Sequence, residues 1–553
     1  MAIQPYTGPF GRPELLHLLR RTLFGVSPAD LDHFQGMSLN QVVNELLTFS
    51  TNVPPPIKAY TAPDGNNQPD PTLVDPDVPF GSTWVNTPSD PQAPIDPRGA
   101  RIQSLAAWQM GLFVGQERNL REKMTLFWSN HMPTQAGAVF MPEGLYSLNQ
   151  LLRDACLGNF RQLMYDVTLE PAMLIYLNGY LNIATAPDEN YARELMELFT
   201  LGQGSGYTES DVQAAAQVLT GWTVQTTSGG QPIVPQTIFL PFLHAITDKQ
   251  FSPFFNNTVI QGQTGINGGA NELNALLDMI FAKEEVSLFI CREIYRWFVH
   301  GEISAAAETD VIQPLAELFR NNAGAPDQMR IVMQALLTSD HFFTADLRGC
   351  MIKSPADLIV GTLRMFNVPM PDATQFEAQY RVWMDVYYLI AYCGQEIGNP
   401  PNVAGWPAYY QFPQYDDIWV DTATFPARNF SLQGIVYTGF STPANLYQPQ
   451  SQNLELKVDL VAFCEQLSNP GDPNQLLIDM VELYYGAPIS QAVRDQLKTS
   501  ILLLGQSQDY YWTFAYATYV ADPNTQDMTA QLVPTILLWL TVDMLGAAET
   551  HIH

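Results

Sequence analysis

Cationic side chains are scarce in this 553-residue chain, which has 26 lysines and arginines against 55 aspartates and glutamates and a net charge of −29. A broad basic footprint is therefore missing, which argues against nucleic acid and anionic membrane as partners. Charge of either sign is thin, at 15% of residues against about 25% in ordinary soluble proteins. The cysteines are only five, Cys156, Cys291, Cys350, Cys393 and Cys464, scattered and without a C-x-x-C pair. That excludes a disulfide scaffold and a structural zinc module. Long apolar runs are also missing: Val533 to Leu545 contains Pro534, Thr535, Thr541 and Asp543 and falls short of the roughly 20 residues a span needs. It is expected to be a buried helix, with no transmembrane span. The first residues, Met1 to Pro5, carry neither a basic nor an apolar leader region, so no signal peptide is visible. A cytoplasmic location is the default expectation, with export or cell-surface association of a processed form left open. No G-x-x-x-x-G-K-[ST], H-E-x-x-H, G-x-S-x-G or strand-borne G-x-G-x-x-G occurs.

What is present is a folded composition: 46% hydrophobic residues, 11% aromatics and a mean hydropathy of −0.05. Helical punctuation recurs. Ser27-Pro28-Ala29-Asp30 and Ser354-Pro355-Ala356-Asp357 each offer a capping hydroxyl, a proline at the first helical position and a carboxylate two residues later. Leu39, Val42, Val43, Leu46 and Leu47 follow helical spacing, as do Val212, Ala215, Ala216 and Leu219 behind a Thr208-x-x-Asp211 cap. Helices are also predicted over 13–24, 101–130, 146–177, 271–300, 310–338, 355–366, 376–393, 455–467, 474–485, 490–504 and 531–546. Alternating runs are few, the best being Thr237 to Leu243. The fold class expected is mainly α: a large multi-helix body with long irregular Pro/Gly-rich insertions and little β. The body covers residues 1–430, and a C-terminal helical portion, 431–553, packs on it. Between Val53 and Gly99 lie 12 of the 41 prolines, with Asp64, Asp70, Asp75 and Asp77 among them. Such a stretch sustains neither helix nor central strand, and it lacks the ligand spacing of a calcium loop. It reads as an excursion that wraps the body or covers a neighbour. Residues 223–271 and 394–431 read as two further irregular stretches, and Gly202-x-Gly204-x-Gly206 as a helix end followed by a turn.

Few residues suggest chemistry. His131 continues the apolar face of Leu120, Met124, Phe127 and Trp128, so its imidazole should point inward, either bonded to a backbone carbonyl or serving as ligand or general base. On the helix following Asp188, Glu194 and Glu197 share a strip; Glu194 lies nearer the apolar border, and Glu189 can pair with Arg193 one turn away. Such a carboxylate pair either lines a solvated face or binds metal and shuttles protons. His244 lies in an irregular stretch. His17, among Leu15, Leu16, Leu18 and Leu19, reads as packing. Trp406, Tyr409, Tyr410, Tyr415 and Trp419 either form a stacking platform for sugar rings, with Trp406, Tyr409 and Trp419 as the binding candidates, or pin a long loop to the body.

Several strings taken together resemble a known family: His17-Leu18-Leu19-Arg20-Arg21-Thr22-Leu23-Phe24-Gly25, Phe127-Trp128-Ser129-Asn130-His131, Glu189-Asn190-Tyr191-Ala192-Arg193-Glu194-Leu195-Met196-Glu197-Leu198, Tyr207 to Val212, Leu219-Thr220-Gly221-Trp222, Lys353-Ser354-Pro355, and Pro400-Pro401-Asn402-Val403-Ala404-Gly405-Trp406-Pro407. Over residues 13 to 430 the chain resembles the bacterial domain-of-unknown-function 1800 family, large proteins with no established activity. The resemblance implies that these polar strings belong to a shared fold. It also exposes departures, since relatives commonly show Trp-His-Asn-His where this chain has Trp128-Ser129-Asn130-His131, and His-Asp where it has His244-Ala245. Genes of the family often neighbour one for a sulfatase-like protein, which the resemblance offers as a partner in processing or displaying surface polymers.

Two functional classes stay open. One is a noncatalytic structural or interaction component of a surface or multiprotein assembly, with protein partners or a homo-oligomer. The other is a metal-binding or hydrolase-like enzyme in which His131, Glu194 and His244 act as catalytic groups, and His131, Glu194, Glu197 and His244 hold a divalent metal. The lost histidines favour the first.

Overall fold

The computed structural model describes residues 3–49, 53–446 and 451–553. Helices dominate, and the strands of the described residues occur only as antiparallel pairs, so the mainly α expectation holds. The cap signals act as written. Ser27 accepts from the Asp30 amide at 3.1 Å and its own amide donates to the Asp30 carboxylate at 3.1 Å, opening helix Pro28–Phe34. Ser354 accepts from the Asp357 amide at 3.1 Å at the start of helix Pro355–Met365. Each satisfies orphan N–H groups that the first turn cannot.

One apolar core runs from Leu15 on the first helix, Arg12–Thr22, to Leu545 on the last long one, Val533–Leu545. The first helix is enclosed on every side there: Leu15, Leu16, Leu18 and Leu19 are buried, as is His17, whose Nε2 lies 2.9 Å from the Phe342 carbonyl. Burial lowers the His17 pKa to about 3, so this ring is neutral packing material. Gly25 holds φ +75°, and a Cβ there would meet Gly361 Cα at 2.4 Å, so bare backbone lets the N-terminal segment lie against helix Pro355–Met365.

The predicted helix over 101–130 is two helices, Arg98–Val114 and Arg121–His131. In the gap, buried Gln116 accepts from the Phe24 amide at 2.8 Å, a distant bond that outweighs continuing the helix. The stretch 146–177 divides into Pro142–Asp154, Phe160–Thr168 and Pro171–Tyr176, where Asn159 caps and Pro171 starts a new helix. Residues 271–300 form Gly268–Phe281 and Glu284–Phe298. The irregular reading of 223–271 misses a hairpin, Trp222–Ser228 paired with Gln231–Phe239 around Gly229-Gly230, both at positive φ. The irregular reading of 394–431 runs too far, since helix Thr424–Tyr437 begins inside it. In 455–467 a strand, Asn453–Leu456, pairs with Phe440–Pro443 before the helix Leu460–Glu465.

The Pro-rich excursion wraps the body through charge. Arg101 is fully buried and binds Asp75 of the excursion at 2.6 Å and Glu143 of helix Pro142–Asp154 at 2.6 Å. Lys58 of the excursion is buried and donates to the Asp75 and Val78 carbonyls at 2.7 and 3.0 Å. Met528–Leu545 is, by length and composition, apolar enough to cross a membrane. In the fold Val533, Ile536, Leu537, Leu540 and Met544 are buried, and the helix packs on Thr424–Tyr437.

Candidate functional site

His131 ends helix Arg121–His131 inside an aromatic box. Its ring stacks on Phe127 with centroids 5.9 Å apart, and Trp128, Phe160, Phe199 and Phe289 surround it. Nε2 donates to the Phe199 carbonyl at 3.0 Å. A carbonyl only accepts, so Nε2 carries the proton. Burial lowers the pKa to about 4 against that hydrogen bond, and the ring is neutral at pH 7. Of the two readings, the backbone-bonded core histidine is the one the geometry describes.

The Phe199 carbonyl belongs to the turn Leu195–Thr200, where the helix from Asn190 widens to π geometry. Such a bulge shifts side chains by about one position relative to an α-helix. Glu194 and Glu197 flank its start and are both half-buried. Burial first, and then the neighbouring Glu197 carboxylate, raise the Glu194 pKa, and the same two carboxylates help raise that of Tyr207. Arg193 pairs with Glu189 at 3.1 Å, as its spacing predicts, and also with Glu209 at 2.7 Å.

His244 is buried elsewhere. Its Nδ1 lies 2.8 Å from the Thr220 carbonyl and Nε2 lies 3.0 Å from Glu272 Oε1. Lys249 Nζ reaches Glu272 Oε2 at 2.5 Å, and the Gln263 amide donates to Oε1 at 2.7 Å. His244, Lys249 and Glu272 are all buried. Both ring nitrogens are thus taken up by protein partners, and neither faces open space where a metal or a substrate could approach. The expectation of a loop-exposed histidine is corrected: the loop folds inward because a buried carboxylate needs its two cationic or donating partners.

Glu194 and Glu197 neighbour each other, whereas His131 and His244 each face partners of their own. Among the described residues no group of three or more His, Cys, Asp or Glu side chains is arranged to hold a metal ion, so the metal set expected of His131, Glu194, Glu197 and His244 has no counterpart there. Local periodicity says which side chains turn inward, not which of them meet. The missed member of the His244 set is Glu272; its one sequence signal is a carboxylate on the apolar stripe of Leu273, Leu276 and Leu277.

The aromatic candidates pin the loop. Trp406, Tyr409 and Trp419 are buried, and Tyr409 stacks on Trp297 with centroids 3.9 Å apart. They offer no open platform for a sugar, and the alternative of a loop fastened to the body describes them. Two of the recognised strings meet here, because the Trp406 amide donates to Asn130 Oδ1 at 2.8 Å. Gly405 has φ +81°, and a Cβ on it would strike Asn130 Oδ1 at 2.3 Å, so glycine is required for this approach.

Beside that junction opens a small cleft lined by Ser129, Met132, Asn149, Tyr387, Asn399 and Trp406, among aliphatic neighbours. Asn149 is buried, and its Oδ1 meets no protein donor. Ser129 donates to the Leu126 carbonyl at 2.9 Å. The cleft thus offers neutral hydrogen-bonding groups on an apolar wall, the makings of a binding site rather than of acid–base chemistry. Asn149 and Asn399 carry no sequence signal of their own.

The model of a family described as protein of unknown function (DUF1800) matches residues 17–526. That range extends the resemblance past residue 430, through most of the C-terminal portion. No curated protein and no solved structure matches the chain.

Proposed function

The chain belongs to the DUF1800 family, and from that premise we propose that it is a noncatalytic interaction component of a bacterial surface or multiprotein assembly. The observation that carries this reading is how the two candidate histidines are used: His131 on a backbone carbonyl in an aromatic box, His244 on Glu272 and Thr220. Both histidines build the scaffold, and the cleft beside Trp406 presents only neutral groups.

A partner-binding face is available on the C-terminal helices. Tyr510–Ala521 packs on Met528–Gln531 and Val533–Leu545, and together they expose Tyr510, Tyr511, Phe514, Met528, Leu532 and Trp539. Helix Tyr510–Ala521 bears no charged side chain. On a protein of net charge −29, an uncharged aromatic face is where a second chain approaches with the least repulsion. We take the occupant to be a protein, with a second copy of this chain the first to test and a sulfatase-like protein the next. Sedimentation of the purified chain is expected to show a concentration-dependent oligomer that Phe514→Glu with Trp539→Glu converts to monomer. A monomer at all concentrations that retains no co-purifying protein would remove this reading.

One observation favours a second reading, a hydrolase-like site: the raised pKa of Glu194 beside Glu197, at a π turn. Its support would be stoichiometric metal by elemental analysis, or hydrolysis of a surface polymer, lost in Glu194→Gln.

A further inference from the structure

The N-terminal string His17 to Gly25, the Lys353-Ser354-Pro355 string and the C-terminal residues meet at one seam, where the segment after helix Arg12–Thr22 lies against helix Pro355–Met365 at the Gly25–Gly361 contact. Between them lies a small inner cavity lined by Arg20, Lys353, Asp357, Thr362, Thr550 and His553. Arg20 and His553 also line an outer cleft of about 1210 Å³, whose other walls include Arg348, Arg494, Ile478 and Tyr485. The two spaces therefore adjoin at a pair of shared side chains.

The charge balance of this seam is unusual for so acidic a chain. Arg20 donates to the Glu482 and Leu483 carbonyls at 2.5 and 3.3 Å, and Lys353 Nζ donates to the Thr550 carbonyl at 2.6 Å. Just behind the cavity, Arg21 donates to the Leu347 carbonyl at 3.0 Å, and Arg428 to the Lys353 carbonyl at 2.9 Å and to His551 Nδ1 at 3.1 Å. None of these acceptors is a carboxylate. Arg21 and Arg428 are buried, and Arg21 Nε and Nη1 and Arg428 Nη1 meet no protein acceptor. The nearby carboxylates are already engaged: Asp357 by Lys123 and Ser354, Glu482 by Arg12, Asp416 by the Ile352 amide. The imidazoles add no negative charge. Burial holds the pKa of His551 at about 3 and that of His553 well below its ordinary value, and the surrounding cations deepen both shifts.

Buried cations are retained where something of opposite charge offsets their desolvation. We propose that the inner cavity binds a small tetrahedral oxyanion, a phosphate or sulfate group, held by Arg20 and Lys353 and reached through the outer cleft. The same chemistry could arrive as the free anion or as the terminal group of an ester whose body rests against Ile478 and Tyr485 in the cleft.

The test is isothermal titration of the full-length chain with sodium phosphate, sodium sulfate and phenyl phosphate, at constant ionic strength set with sodium chloride. Saturable one-to-one binding of phosphate or sulfate, weakened at least tenfold in Lys353→Met and in Arg20→Met but within a few-fold of the parent in Lys353→Arg, is the expected result. Phenyl phosphate binding tighter than inorganic phosphate would identify an ester as the source, and equal affinity a free anion. Absence of saturable binding to the unaltered protein overturns the proposal, whatever the variants do. Equal displacement by chloride, or affinity unchanged in folded Lys353→Met and Arg20→Met, also overturns it.

Discussion

The seam around Arg101 and the seam around Arg20 both bury cations, yet they are built on opposite principles. Arg101 sits between two carboxylates, Asp75 and Glu143, each 2.6 Å away, and its charge is spent within the protein. The His244–Glu272–Lys249 set follows the same rule. Around Arg20, Arg21, Lys353 and Arg428 the acceptors are carbonyls, a thiol and a neutral imidazole, so positive charge is left over. Closed networks of the first kind fasten segments together, and the Asp75 network fastens the Pro-rich excursion. An open excess of the second kind is poised for a ligand.

The comparison is broken most directly at Arg101. Arg101→Ala leaves Asp75 and Glu143 buried without their cation and is expected to cost about 4 kcal/mol by chemical denaturation, within the range of about 3–5 kcal/mol for a broken buried pair. A cost below about 1 kcal/mol would mean that the network fastens nothing. Glu272→Gln, which removes charge but keeps an acceptor, is expected to cost about 3 kcal/mol, since Lys249 stays buried without its counter-charge. Oxyanion binding at the other seam should be untouched in both variants.

Acid sharpens the contrast further. His131 has a folded pKa of about 4 against an unfolded value near 6.5. Between those values the unfolded chain binds more protons than the folded one, so stability rises with pH there and is lost as pH falls from about 6.5 to about 4. The contribution is about 3 kcal/mol, and His131→Gln should flatten that part of the stability–pH curve even if it lowers the plateau. The smallest effect is expected at the open seam. Lys353→Met in phosphate-free and sulfate-free buffer at about pH 10, where the folded-state amine is already neutral, should change stability by less than about 1 kcal/mol. Lys353 is held down to about pKa 7 by burial, with Arg20 next. The unfolded chain thus carries an extra proton above pH 7, and stability should rise from about pH 7 toward 10 in the parent but not in the variant.

Much of the architecture is legible in the sequence. The caps at Ser27 and Ser354, the stripe of Val42, Val43 and Leu46, and the inward turn of His131 all follow from interactions within a few residues. The hairpin at Gly229-Gly230 is also legible, through its turn chemistry, although the Gly, Gln, Asn and Pro residues around it make the stretch read as irregular. The splitting of 101–130 is not legible, since the Gln116 bond to Phe24 spans 92 positions. The site candidates divide the same way. Burial of His131, Trp406 and Tyr409 could be anticipated from apolar and aromatic surroundings, whereas the engagement of His244 by Glu272 and the fit of Gly405 on Asn130 depend on loops brought together by the whole fold.

By itself, the order of residues determined that this is a helix-built, acidic protein with a Pro-rich wrap, because helix periodicity, capping and proline geometry act over a turn or two of chain. Which charges ended up paired, and which were left facing a cavity, only the tertiary structure decided. Lys123 meets Asp357 across 234 positions and Arg20 meets the Glu482 carbonyl across 462. Desolvation and Coulomb attraction depend on distance in space, which no local pattern encodes.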